Sequence, residues 1–193
     1  MGDEPDGSGK FIANVLRNSK IEAAIDVLLK DQDGLILGIC NGFQALIKTG
    51  YLPYGKAKVL EEKDPTLHYN NSNRHIARFA DTKVATTNSP WTSKLSKDKV
   101  YRIPISHGEG RVILSEDLYR DLLNKDQIAT HYVKTPNGSF YGIEGLLSPD
   151  GKILGKMGHT ERVAEDLYKN IPGVDLQEII ASGVEFMRKD HEK

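Results

Sequence analysis

The chain has 193 residues, of which 38% are hydrophobic and 27% charged, and its formal net charge is -1. These values are ordinary for one globular domain, and a charge near zero gives no electrostatic reason to expect a nucleic acid or an anionic membrane as partner. The single cysteine excludes an intramolecular disulfide and a cluster of thiolate metal ligands. Since the sequence has no apolar run of roughly 18 residues and no signal-peptide pattern, we expect a cytoplasmic location.

The first 30 residues predict a loop followed by helical structure. Residues 1–9 are rich in glycine and acidic residues, which is typical of a loop. From Lys10 to Lys30 the apolar residues recur at helical spacing, and Asn18-Ser19 marks a point at which the helix can divide into two.

The next stretch predicts a strand, a sharp turn and a helix in direct succession. An apolar run after Asp33-Gly34 indicates a buried strand, and Asn41–Thr49 indicates a helix that Gly50 ends. Between them lies Gly38-Ile39-Cys40-Asn41-Gly42, which has the G-x-C-x-G spacing of a nucleophile elbow. A strained turn of this kind needs small neighbours, which the two glycines provide.

Cys40 would lie at the N-terminus of the predicted helix. There the macrodipole and the unused N–H groups favour the thiolate, and the backbone N–H of Asn41 would point at the oxygen of a bound carbonyl group. On spacing alone, however, the simpler interpretation is favoured, because a lone cysteine after an apolar run is usually a small buried hydrophobic residue.

The middle of the chain predicts turns and short strands. Asn70–Asn73 is typical of a turn, while Arg74–Ala80 and Lys83–Thr87 predict two short strands. Alternating apolar residues from Tyr101 to Ile105 predict a half-buried strand that ends in Ser106-His107-Gly108-Glu109-Gly110-Arg111. Taken alone, this last segment predicts a glycine-rich hairpin with solvated charges.

The last third predicts a helix, three strands and a terminal helix. Ser115 is the expected cap of a helix over 116–124, and strands are expected over 127–133, 139–147 and 152–156. A helix is expected over 175–191, with Asp175 and Glu178 as a capping box. The residues expected on its inward face are Leu176, Ile179, Ile180, Val184 and Met187.

Met157-Gly158-His159-Thr160-Glu161-Arg162 follows the last of these strands. Residues two apart in extended chain project to the same side, so that His159 can face Cys40 while Glu161 approaches the far nitrogen of the ring. A base and its orienting carboxylate require that geometry. On spacing alone, a surface loop is the usual explanation of such a pair.

Three stretches of the chain, in this order, resemble the class I (triad) glutamine amidotransferases. Gly38–Gln44 is similar to their active-site signature, and its Asn-Gly-Phe-Gln ending to the phosphoribosylformylglycinamidine synthase branch. Ser106–Arg111 resembles the Ala-His-Gly-Glu-Gly-Arg of that branch, with serine where alanine is common. Met157–Arg162 resembles Met-Pro-His-Pro-Glu-Arg, but Gly158 and Thr160 replace the two prolines, which is expected to loosen the loop.

The resemblance implies an α/β fold with three layers, α/β/α and flavodoxin-like, around a mostly parallel central sheet. Residues 1–193 would form a single amidotransferase domain. In the family, a strand and a glycine-rich loop that completes the oxyanion hole come well before the cysteine, whereas only 39 residues precede Cys40 here. We therefore expect the chain to be a fragment of a larger synthase, with the first strands of the sheet missing.

The resemblance also implies the roles of individual residues. Cys40 would attack the carboxamide of glutamine, His159 would act as its base, and Glu161 would orient His159. The residues implied in oxyanion or substrate binding are Asn41, Gly42, Gln44, His107, Glu109 and Arg111. An Asn…Ser…Arg pattern of the family further implies Asn71, Ser72 and Arg74 as shell residues.

No cofactor or metal is expected in this domain. In the family, the ammonia passes to a synthetase domain of the same polypeptide, which uses ATP and magnesium to convert formylglycinamide ribonucleotide to the amidine in purine biosynthesis. Three alternatives remain open: a glutaminase domain of another synthetase, a thiol hydrolase on the same scaffold, and a non-catalytic truncated fragment.

Overall fold

The computed structural model describes residues 9–191, and their side chains as far as residue 188. Of the loop predicted over 1–9, only Gly9 lies within this range. The helices are α1 (Lys10–Leu16), α2 (Ser19–Lys30), α3 (Asn41–Thr49), α4 (Tyr51–Tyr54), α5 (Glu116–Asn124) and α6 (Ile179–His191). The strands are β1 (Ile36–Ile39), β2 (Thr66–Tyr69), β3 (Ile76–Val84), β4 (Val100–His107), β5 (Glu109–Ile113), β6 (Ile128–Tyr132), β7 (Ile143–Leu147) and β8 (Ile153–Lys156). None of the helices in the described range is long and apolar enough to cross a bilayer.

Six strands form one mixed sheet in the order β1-β8-β7-β6-β3-β4, and β2 pairs with β5 in a separate ladder. Within the described residues, β1 and β8 are parallel and all the other pairs of the sheet are antiparallel. The α/β class is confirmed, but the expectation of a mostly parallel sheet is wrong for these residues. In each of the pairs β3–β4, β6–β7 and β7–β8, the two strands are consecutive along the chain. They lack the crossover helix between them that a parallel pair needs.

Apolar residues cover both faces of the sheet, as the predicted three layers require. Neighbouring residues of a strand point to opposite faces, so that Ile153 of β8 packs in one cluster and Leu154 in another. Helices α3 and α5 contribute to the first cluster through Phe43, Leu46, Ile47 and Leu122. Helix α6 and the turn before β4 contribute to the second through Ile179, Trp91 and Leu95.

Several predicted element boundaries are confirmed, and two strand predictions need correction. The strand expected over 139–147 begins only at Ile143, because Phe140–Gly142 form a 3₁₀ turn. Helices α3 and α5 have the predicted bounds, and Asn18 separates α1 from α2 because its side chain accepts the N–H of Lys20 at 3.1 Å. The two short strands expected on either side of Asp81-Thr82 form the single strand β3. Thr82 stays in the strand because it pairs with β4 on one side and with β6 on the other.

The last helix begins later than expected, at Ile179 rather than Asp175, so residues 175–178 precede it and form no capping box. Ile179 is buried, but Leu176, Ile180 and Val184 are about half exposed, which makes the prediction of their inward orientation wrong. Ile180, Val184 and Met187 instead line an apolar groove beside β1.

Candidate active site

Cys40 occupies the sharp turn between β1 and α3. Its backbone lies at φ 52° and ψ -104°, a conformation that costs a non-glycine residue energy and that is typical of a nucleophile elbow. Hydrogen bonds hold the turn on both sides: the Cys40 N–H donates to the Lys156 carbonyl oxygen at 2.8 Å, and the Gln44 N–H donates to the Cys40 carbonyl oxygen at 3.1 Å. The parallel pair of β1 and β8 therefore ends at the cysteine.

The two glycines of the elbow differ in the space around them. A Cβ on Gly38 would lie 2.5 Å from Leu46 Cδ1 and 2.8 Å from the Gly42 carbonyl carbon, so β1 and α3 pack too closely there for any side chain. A Cβ on Gly42 would meet nothing within 4 Å. The expectation that both glycines are needed for the turn is thus correct for Gly38 only, and Gly42 faces open space.

The Cys40 side chain is 6% exposed, and its Sγ lies 3.6 Å from the Ser106 carbonyl oxygen at the end of β4. Asn41 and Gly42 begin α3, and the first N–H groups of a helix have no intrahelical acceptor. These N–H groups, together with the helix macrodipole, favour negative charge beside Cys40.

His159 and Glu161 form a hydrogen-bonded pair, with His159 Nδ1 and Glu161 Oε1 2.6 Å apart. The expected contact is thus present, but not through extended chain, because Thr160–Arg162 is a 3₁₀ turn that brings the carboxylate back to the ring. When Nδ1–H donates to Glu161, Nε2 is the nitrogen that can accept a proton. Nε2 is buried and has no hydrogen-bond partner among the described residues.

The pKa of the Glu161 carboxyl lies below its ordinary value of 4.5. Partial burial raises this pKa, but the hydrogen bond from His159, the backbone N–H of Glu161 itself and the positive charges of His159 and Arg162 outweigh that effect. The carboxylate is therefore ionised at neutral pH, as a group that orients an imidazole and stabilises its protonated form must be.

One pocket of about 540 Å³ brings together the elbow and the His159–Glu161 pair. The residues that line it are Ile12, Ile39, Cys40, Asn41, Gly42, His75, Ser106, His159, Glu161 and Arg162. Sequence reasoning did not single out Ile12, His75, Ser106 or Arg162 as site residues. Ser106 and Arg162 lie within two of the motifs, whereas His75 carries no sequence signal; its Nε2 lies 3.0 Å from Ser106 Oγ.

Comparison with known proteins agrees with this geometry. Residues 1–188 match the model of the CobB/CobQ-like glutamine amidotransferase domain. The chain belongs to this family. Its structure is similar to PurLQS from Thermotoga maritima, with a TM-score of 0.70 and 31% identity over 91% of this chain and 71% of that one. A putative GMP synthase component from Thermoplasma acidophilum shares the fold at a TM-score of 0.50 and 12% identity, over 95% of this chain and 80% of that one.

Other residues implied in substrate binding lie behind the pocket of this glutamine amidotransferase rather than on its wall. Gln44 is fully buried, and its side-chain amide donates to the Glu109 carbonyl oxygen. His107 is also fully buried, with Nδ1 3.0 Å from Asn70 Oδ1, and its ring covers Gly110 so closely that a Cβ there would lie 2.5 Å from Nδ1. In this structure Gln44 and His107 therefore connect α3 and β4, respectively, to β5.

The remaining candidates lie on β5 and on the turn between β2 and β3. Arg111 of β5 lies beside Gly138, where an added Cβ would be 3.2 Å from Arg111 Cδ. Asn71, Ser72 and Arg74 are exposed at the turn between β2 and β3. Neither this group nor Glu109 lines the pocket of Cys40, and their contact with substrate stays a prediction. In the described part of the chain, no group of three His, Cys, Asp or Glu side chains is placed to hold a metal ion.

Proposed function

We propose that this chain is the glutaminase part of a phosphoribosylformylglycinamidine synthase. It would hydrolyse glutamine at Cys40 and supply ammonia to a synthetase that converts formylglycinamide ribonucleotide to the amidine. The observation that carries the proposal is the presence, on one pocket, of a cysteine at a strained elbow and a histidine hydrogen-bonded to a carboxylate. The identity of 31% with PurLQS and the three sequence motifs favour this synthase over other synthetases that use ammonia from glutamine.

In the first half of the proposed reaction, the Cys40 thiolate attacks the carboxamide carbon of glutamine. A C–S bond forms, and the electron pair of the carbonyl moves onto oxygen, where the N–H groups of Asn41 and Gly42 stabilise it. Protonated His159 gives the proton on Nε2 to the nitrogen of the tetrahedral intermediate. The C–N bond then breaks, ammonia leaves, and a glutamyl thioester remains on Cys40.

In the second half, neutral His159 takes a proton from water as the water oxygen attacks the thioester carbon. Collapse of the second tetrahedral intermediate breaks the C–S bond, releases glutamate and restores the thiolate beside a protonated imidazole. Glu161 keeps Nδ1 protonated throughout, so that the same nitrogen, Nε2, gives and takes the proton.

The proposal places the ATP-dependent step outside this domain. The synthetase, with its ATP and magnesium, would belong to the same parent polypeptide in the cytoplasm, and glutamine would be the one small-molecule substrate of the domain described here. Electrostatic attraction would contribute little to the capture of glutamine, since the formal net charge of the chain is -1.

The experiment that tests the proposal is labelling by a diazo-ketone analogue of glutamine. We expect one label per chain, at Cys40, with a rate that excess glutamine lowers at least tenfold and that glutamate and asparagine leave nearly unchanged. Cys40→Ser is the control that removes the nucleophile, and His159→Ala is expected to slow labelling without abolishing the protection. Labelling that is no faster than that of a small free thiol, or that glutamine does not slow, would refute the assignment.

A further inference from the structure

Two oppositely charged side chains, Lys156 and Glu144, lie fully buried beneath the loop that carries His159. Lys156 ends β8 and Glu144 belongs to β7, and the Lys156 Nζ and Glu144 Oε1 atoms are 3.4 Å apart. Neither residue lines the pocket of Cys40, and the proposed reaction uses neither of them.

Both members of the pair form hydrogen bonds with Gly158, the residue before His159. Glu144 Oε1 accepts the Gly158 N–H at 2.6 Å, and Lys156 Nζ donates to the Gly158 carbonyl oxygen at 3.2 Å. Both peptide groups of Gly158 are therefore held by side chains of the ion pair. Proline at this position would have no N–H to donate, and a Cβ would lie 2.8 Å from Glu144 Oε1 and 2.1 Å from Ile103 Cδ1.

Contacts of the same network reach the residue after His159. Lys156 Nζ donates to Thr160 Oγ1 at 2.8 Å and to Gln177 Oε1 at 3.0 Å, and the Thr160 hydroxyl donates to the same Gln177 oxygen at 2.7 Å. On the far side, the Thr130 hydroxyl donates to Glu144 Oε2. Hydrogen bonds thus hold residues 158 and 160, the two positions at which the resembling motif has proline.

The charges of this network are fully removed from water. Burial lowers the pKa of the Lys156 ammonium, and the neighbouring carboxylates of Glu144 and Glu161 oppose that shift. A buried ion pair is rarely more stable than an apolar pair of the same volume, so that its presence is better explained by what it holds in place.

We propose that the Lys156–Glu144 pair positions His159 through its hydrogen bonds to Gly158 and Thr160. These bonds would replace the rigidity that two prolines provide in the Met-Pro-His-Pro-Glu-Arg motif of the resembling family. The inference rests on the proposed function, because His159 is taken as the base for Cys40. The pair touches neither substrate nor the reacting atoms, so it acts only through the orientation of the imidazole.

The test compares two double variants of the full chain that carry no charge at this site. In Lys156→Met/Glu144→Leu the hydrogen bonds of the pair to Gly158 and Thr160 are absent, whereas Lys156→Met/Glu144→Gln keeps an acceptor for the Gly158 N–H. Removing both charges leaves no unpaired buried ion, so we expect both variants to fold. Lys125→Met/Asp121→Asn, which removes an exposed ion pair of α5, is the matched control.

The readout is the rate of Cys40 alkylation by iodoacetamide as a function of pH. If His159 activates Cys40 as the proposed function requires, we expect the unsubstituted chain to be alkylated readily at pH values below the ordinary thiol pKa of about 8.5. We expect the Leu double variant to react about tenfold more slowly near pH 6.5 and the Gln double variant to recover part of that rate. The titratable groups that face the pocket, Cys40, His75, His159, Glu161 and Arg162, are unchanged in all of these variants.

The outcomes separate the two proposals. An ordinary thiol profile in the parent chain, unchanged in His159→Ala, would refute the proposed function. A parent profile with a low pKa that the Leu double variant reproduces would overturn the positioning role alone. If the double variants fail to fold, Thr160→Val and Thr160→Ser provide the test, because only the first removes the hydroxyl that is hydrogen-bonded to Lys156 and Gln177. Equal alkylation rates at each pH in these two variants would overturn the inference.

Discussion

At the scale of single residues, the site depends on how one imidazole is oriented. His159 is largely buried, and the Glu161 carboxylate holds its Nδ1, so that Nε2 remains for proton transfer. In the proposed reaction Cys40 depends on this arrangement, because its own turn provides backbone N–H groups but no base. In the proposed reaction the chemistry is therefore divided between the elbow, which holds the nucleophile, and the segment of His159 and the 3₁₀ turn after it, which holds the base and its carboxylate.

Replacing Glu161 by glutamine tests this division. Glutamine has nearly the same shape but no charge, so it stabilises neither the tautomer with Nδ1–H nor the protonated imidazole. We expect glutamine hydrolysis to fall about 10²-fold or more, mostly in kcat, as for other triads that lose their carboxylate. Glu165→Gln removes an exposed carboxylate nearby and is the matched control. A loss in both variants alike would contradict the orienting role.

The lowered pKa of Glu161 also predicts how stability depends on pH. A carboxyl whose pKa is lower in the folded than in the unfolded chain stabilises the fold above the unfolded value, here 4.5, and this contribution is lost as the pH falls through the folded value. We expect the difference in Tm between the parent chain and Glu161→Gln to be largest near pH 6 and to shrink towards about pH 3. A Tm difference that does not vary with pH would show that the charge of Glu161 adds nothing to stability.

At the scale of elements, β1 and α3 meet so closely that the elbow allows one glycine to change and not the other. We expect Gly38→Ala to destabilise the chain by about 1–3 kcal/mol, because its Cβ would overlap Leu46 and the Gly42 backbone. Gly42→Ala has open space and should leave stability within about 0.5 kcal/mol, but its methyl group would enter the pocket and weaken the protection of Cys40 by glutamine. Urea unfolding and competition labelling measure the two effects, and equal destabilisation by both substitutions would contradict this account.

Local sequence signals were sufficient for several elements. Helices α3 and α5 have caps and stop residues within their own sequence, at Gly50 and Ser115, and both were predicted with the observed bounds. Strand β3 was predicted as two pieces because its polar residues at 81–82 resemble a turn, whereas the pairing partners that keep it continuous lie far away in the sequence. The mixed sheet was missed for the same reason, since strand direction depends on connections that a strand's own residues do not encode.

The candidate site shows the same division. Cys40, His159 and Glu161 were identified through short motifs, and the structure brings the three to one pocket. Lys156 and Glu144 were not singled out, because each lies alone in a short apolar strand and their pairing depends on the register of β7 with β8. Residues such as His107 and Gln44 were recognised from motifs, but burial, which those motifs do not encode, places them behind the pocket.

At the scale of the whole molecule, β1 and β8 unite the two halves of the site. The elbow follows β1 and the His159 loop follows β8, and these strands are parallel neighbours, so that both segments leave the sheet at the same edge. The two strands also separate the two apolar clusters, since consecutive residues of β8 pack on opposite faces. We therefore expect the site to persist only while both faces of the sheet stay packed.

This sharing of strands makes us expect a single unfolding transition. Trp91 is the sole tryptophan and lies in the cluster with α6, where its Nε1 donates to the Lys152 carbonyl oxygen at 2.8 Å, whereas Leu46 lies in the cluster on the other face. We expect Leu46→Ala to lower the free energy of unfolding by about 2–5 kcal/mol and to shift the urea midpoint of Trp91 fluorescence as far as that of circular dichroism.

Leu167→Ala, at a residue that is 58% exposed, is the control and should change the free energy of unfolding by less than about 0.5 kcal/mol. If Trp91 kept its original midpoint in Leu46→Ala while circular dichroism shifted, the two faces would unfold as separate units. The elbow could then unfold while the α6 face stays folded. The hydrogen bond between the Cys40 N–H and the Lys156 carbonyl oxygen would in that case break before the whole chain unfolds. Equal shifts of the two urea midpoints would mean that both faces of the sheet unfold together. Cys40 and His159 would then stay on one pocket until the whole chain unfolds.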